Sequence, residues 1–83
     1  MKHNLQATKN GTAILMTCLV QTLNESDPSF QERFLERVAL AYREIKDKTK
    51  GDVLDELELL SWTRELLTGF NLVEGQGKPF LED

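Results

Sequence analysis

The sequence predicts an all-α fold, a small three-helix bundle forming one domain over residues 1–83. Three observations lead there. Apolar residues recur at helical spacing in three separate stretches. Between them stand two strong breaks, Asn24-Glu25-Ser26-Asp27-Pro28 and Thr49-Lys50-Gly51. The chain has 83 residues, 40% of them apolar, which is the scale of one compact unit rather than two.

Met1 to Gly11 has no periodicity and reads as a flexible lead-in. The first helix is expected over 12–24. There Leu15, Met16, Leu19, Val20 and Leu23 form one broad face at about 100° per residue, while Ile14 and Cys18 fall on the other side. A helix so apolar around its circumference belongs at the centre of a bundle or against a second chain.

The second helix is expected over 28–48. Ser26 or Asp27 can cap it with a side-chain oxygen, and Pro28 suits a first turn, where a backbone N–H has no partner to lose. Phe30, Phe34, Val38, Ala41 and Ile45 make an apolar stripe, flanked by Leu35 and Tyr42. Glu32, Arg33, Glu36, Arg43 and Asp47 occupy the reverse side.

The third helix is expected over 52–69. Gly51 is free to take a left-handed backbone, Asp52 to cap, and Gly69 to close the helix. Acidic residues crowd its first two turns, as the helix dipole favours. Its apolar residues divide between two faces. Val53, Leu54, Leu57, Leu60 and Leu67 make one; Leu59, Trp62 and Leu66, continued by Phe70, make the other. The remainder, 70–83, reads as a flexible tail in which Phe70-Asn71-Leu72-Val73 is placed to fold back over Trp62.

This is more apolar surface than three short helices sharing one seam can hide, and domains of this size have little stability to spare. The expected outcome is a homodimer formed through helices 1 and 3. The competing outcome is that residues 70–81 cover the second face of helix 3 within one chain. No apolar run is long enough to span a bilayer, and nothing at the start resembles a secretory leader. A single cysteine, Cys18, gives no internal disulfide framework. A cytoplasmic, non-membrane protein is expected.

Groups able to do chemistry are scarce. His3 is the only histidine and has no ligand or base at useful spacing. Cys18 has no basic neighbour one helical turn away to lower its pKa. Residues 47–58 resemble a calcium-binding loop, with oxygens at Asp47, Thr49, Asp55 and Glu58 and the carbonyl of Val53. However, Gly51 falls one place too early, and Asp52 stands where the sharp turn needs glycine. Asp52, Asp55, Glu56, Glu58 and Glu65 read as helix caps and a solvated strip. No catalytic residue, metal ligand or cofactor is assigned, and no enzyme is expected.

The charge of −4 is uneven: residues 1–26 and 27–50 are each +1, and residues 51–83 are −6. A helix-turn-helix reading through Gly51 would place Asp52, Asp55, Glu56 and Glu58 at the N-terminus of the reading helix, against phosphates. Nucleic acid is therefore not the expected partner. The expected function is protein–protein interaction, as an adaptor, small regulator or chaperone-like protein. The contact face is Leu59, Trp62, Leu66 and Phe70, the side of helix 3 least needed by an internal seam. The alternative is a nucleic-acid-associated regulator using a basic strip of Arg33, Arg37, Arg43, Lys46 and Lys50.

Overall fold

The computed structural model describes the backbone of residues 2–48 and 51–82, and the side chains of 5–47 and 51–82. Three helices follow in order: α1 (Lys2–Ser26), α2 (Phe30–Lys48) and α3 (Leu54–Thr68). A two-stranded antiparallel hairpin then closes the chain, β1 (Phe70–Asn71) with β2 (Gly75–Gln76), in the register Phe70 to Gln76. The helices make the small all-α bundle that the periodicity predicts, with α1 lying chiefly along α3.

α2 begins at Phe30 rather than 28, leaving Pro28 in the preceding turn, and α3 begins at Leu54 rather than 52; two other boundaries differ more from the sequence reading. The stretch expected as a flexible lead-in is helical from Lys2 onward, so α1 is 25 residues long. Asn10-Gly11 has weak helix propensity, but a helix already nucleated over the following residues extends at low cost. Lys9 then fastens the added turns to α3, with its ammonium 2.6 Å from Asp55 and 2.7 Å from Glu58. The stretch after Gly69, expected as a flexible tail, is ordered by its own turn. The Asn71 side-chain oxygen accepts hydrogen bonds from the N–H groups of Val73 and Glu74, bending the chain into the hairpin.

The helix ends follow local chemistry. At the start of α2, the Asp27 carboxylate accepts the Ser29 N–H, while Asn24 reaches across from α1 to accept the Gln31 N–H at 2.9 Å. Asp52 accepts the Leu54 N–H at the start of α3. Gly69 ends α3 in the left-handed conformation (φ 78°), its N–H bonded to the Glu65 carbonyl.

The core is narrow. Ala13, Val20, Val38 and Leu67 are its buried apolar members, joined by Thr17 and Thr63. Each threonine hydroxyl donates to the carbonyl four residues earlier in its own helix, so its burial leaves no unmet hydrogen bond. On α1 the inward line is Lys9, Ala13, Thr17 and Val20. Of the broad face read from the sequence only Val20 turns inward; Leu15, Met16, Leu19 and Leu23 are exposed. Small side chains win the inward position because they let α1 approach its neighbours closely.

Candidate functional site: an aromatic groove between α1, α3 and the hairpin

A groove opens where the N-terminal half of α1 runs beside the C-terminal half of α3. Its cavity is about 740 Å³. Trp62 and Leu66, one turn apart, form the α3 wall; Phe70 and Phe80 close the far side; Ala7 belongs to the α1 wall. Gln6, Asn10, Glu65, Asn71 and Lys78 complete the lining with polar groups of both charge signs.

The C-terminal segment is pinned rather than draped. The Gly69 carbonyl accepts the Gly77 N–H at 2.6 Å, and the Leu66 carbonyl accepts the Phe80 N–H at 2.7 Å. The Phe80 carbonyl in turn accepts a hydrogen bond from the Gln21 side chain of α1 at 2.7 Å. These three bonds give two carbonyls at the end of α3 their partners and fix Phe80 at the groove. They also require Gly69 to be glycine, because a Cβ there would lie 2.6 Å from backbone atoms of Gly77 and Lys78.

Electrostatics concentrate beside the groove. Lys9 is buried, hydrogen-bonded to Asp55 and Glu58, and 5.3 Å from the centre of the Trp62 ring. The two carboxylates hold its ammonium above the ordinary lysine pKa, Asp55 contributing most and Glu58 next, against an opposing effect of burial. Asp55 and Glu58 are thus committed to a lysine, which accounts for two oxygens of the calcium-like stretch. Among the described residues no group of three His, Cys, Asp or Glu side chains is arranged to hold a metal ion.

Of the predicted contact face, Trp62, Leu66 and Phe70 line the groove together. Leu59 is half-buried outside it. The sequence reading missed Gln6, Ala7, Asn10 and Phe80, the first three because their stretch reads as unstructured. One signal was available: Lys9, Ala13, Thr17 and Val20 follow at spacings of four, four and three, a helical line of mostly small residues starting inside the supposed lead-in.

The basic strip is not brought together. Arg33 pairs with Asp27 and lies 5.9 Å from the Phe30 ring; with Arg37 it borders a shallow surface depression that also includes Glu36. Arg43 and Lys46 are exposed on a different side of α2, rotated by roughly a quarter-turn or more from Arg33. Lys50 and the side chain of His3 lie outside the described residues. Among the described residues, no helix is long and apolar enough to cross a membrane. Comparison with known proteins finds no matching family model, no matching curated protein and no matching solved structure.

Proposed function

We propose that this chain is a non-enzymatic protein–protein interaction module that seats an amphipathic segment of a partner protein in the Trp62 groove, and that it works as a homodimer. The observation that carries the reading is the composition of the groove: three aromatic rings and Leu66 surrounded by exposed or half-exposed amides, one acid and one lysine. An apolar centre with a polar rim is the anatomy of a protein interface, and large aromatic side chains supply most of the binding energy at such sites. The mixed rim of Glu65 and Lys78 suits a segment whose polar face carries both charge signs.

Self-association belongs to the same reading. Large apolar side chains stay exposed on α1, which is costly for a small monomer in water. A cytoplasmic location accords with the lone, unpaired Cys18.

The test is a titration with an amphipathic helical peptide bearing Leu and Phe at one-turn spacing and alternating Glu and Lys on its other face. Trp62 emission should shift on binding, and calorimetry should find the affinity reduced at least about tenfold in Trp62→Ala, as for a central interface aromatic. No heat and no emission change with the wild-type chain would overturn the groove as a docking site. So would unchanged affinity in Trp62→Ala.

A further inference from the structure

The exposed face of α1 lies away from the groove and has its own chemistry. Leu15 is 73% exposed, Met16 38%, Leu19 52% and Leu23 41%. Together they present on the order of 400 Å² of apolar surface, as much as the largest patch on a typical monomer. At helical spacing these four fall on one side, with Thr8, Thr12, Thr22 and Ser26 completing the row. The chain's own tail does not cover them, since it is fixed at the end of α3 by Phe80 and Gly77.

We propose that this face is the seam of a twofold pair in which α1 packs antiparallel against α1 of a second copy. The proposal rests on the self-association part of the function proposed above. Three features favour a second copy as the occupant. First, between Lys9 and Glu25 the helix carries no charged residue, so the face meets its own copy without like-charge repulsion and without desolvating an ion. Second, two polar members of the row are already satisfied: the Thr12 hydroxyl donates to the Thr8 carbonyl and that of Thr22 to the Cys18 carbonyl, so both can be covered at little cost. Third, the row from Thr8 to Ser26 offers about 600 Å² per copy, giving a pair about 1,200 Å², the lower end of specific interfaces.

The antiparallel arrangement follows from the ends. A parallel pair would set each Glu25 beside its own copy and align the helix dipoles; an antiparallel pair about an axis near Thr17 separates the glutamates and opposes the dipoles. A lipid surface is a poorer match. Interfacial helices carry Lys or Arg along the polar flank, and this run has neither.

The experiment measures the solution mass of the full-length chain by sedimentation equilibrium across a dilution series, with circular dichroism confirming helix content. Wild type should sediment as a dimer at micromolar concentration. Leu19→Glu and Leu19→Lys should each sediment as folded monomers, and Leu19→Lys mixed in equal amounts with Leu15→Glu, whose carboxylate faces position 19 across the antiparallel seam, should recover the dimer. Leu15→Lys, at the most exposed of the four positions, should weaken the pair at least tenfold even if Leu19→Glu fails to fold. Leu72→Glu, at the exposed hairpin tip, should leave the dimer intact. A dimer that survives Leu15→Lys and Leu19→Glu but is lost in Leu72→Glu or Trp62→Ala would overturn the α1 seam while leaving self-association standing. A wild-type chain that is monomeric at every concentration overturns both, including one that instead cosediments with anionic phosphatidylserine vesicles.

Discussion

Lys9 and Trp62 occupy one site: the ammonium stands 5.3 Å from the centre of the indole ring while it hydrogen-bonds Asp55 and Glu58. This cluster ties the N-terminal turns of α1 to α3 and so sets one wall of the groove. Its pH dependence has a definite sign. The folded pKa of Lys9 is raised, so the stabilisation is complete below the unfolded lysine value of about 10.4 and is lost as pH rises through the folded value. Thermal melts from about pH 8 to pH 11 should therefore show wild type losing stability on the alkaline side more steeply than Lys9→Met. Parallel curves would mean that the cluster adds nothing to folding.

Two glycines should respond to the same substitution with opposite signs. Gly69 has φ 78° and backbone atoms 2.6 Å from where a Cβ would sit, whereas Gly11 lies within α1 with nothing within 4 Å. Gly69→Ala should lose at least about 1–3 kcal/mol from backbone strain alone, and the collision with Gly77 and Lys78 adds to it. The hairpin should detach and the Trp62 environment change with it. Gly11→Ala should gain about 0.5–1 kcal/mol, because glycine in a helix interior is disfavoured. Chemical denaturation of both variants reads the two signs directly.

The sequence made some features legible and hid others for physical reasons. The α2 stripe was visible because Phe30, Phe34, Val38, Ala41 and Ile45 all need the same neighbour, and all are buried or half-buried. Gly69 was visible because helix termination by a left-handed glycine is a local event. Trp62, Leu66 and Phe70 were recognisable as a shared face because they sit on one element or its immediate continuation. The orientation of α1 was not. Size-blind periodicity favours Leu15, Met16 and Leu19, while packing chose Ala13, Thr17 and Val20, a choice that depends on how closely α1 and its neighbours can approach. The helical start of α1 depends on Lys9 finding Asp55 and Glu58, 46 and 49 residues away in sequence. No local pattern encodes that pairing. The exposed apolar side chains are divided between α1, with Leu15, Leu19 and Leu23, and the C-terminal segment, with Leu72, Val73 and Leu81, while the Trp62 side of α3 is partly covered by the α1 turns and the hairpin.

Leu54 and Leu67 test this distinction between pattern and packing. The sequence reading groups them on one broad face of α3, of which they are opposite edges about 140° apart, and Leu67 is 2% exposed while Leu54 is 60% exposed. Leu67→Ala should cost about 2–5 kcal/mol, enough to unfold a large fraction of a domain this small. Leu54→Ala should stay within about 0.5 kcal/mol of wild type, as surface changes do. Urea titrations of the pair decide the matter, and equal losses would place Leu54 in an interface that the single chain does not contain.

Gln21 offers a way to loosen the hairpin end without touching the groove walls. Its side chain donates to the Phe80 carbonyl, while the Phe80 N–H donates to the Leu66 carbonyl, so one residue of the tail is held from both sides. Gln21→Leu removes the first of these bonds and should cost about 1 kcal/mol locally. Amide exchange should then quicken about fivefold at Phe80, since local opening reports the free energy holding that segment down. Gly77, whose N–H is bonded to Gly69 at the other end of the tail, should keep its protection. If both amides accelerate together, the tail opens as one unit and Gln21 is its latch. If neither changes, the Leu66 bond alone holds Phe80 in place.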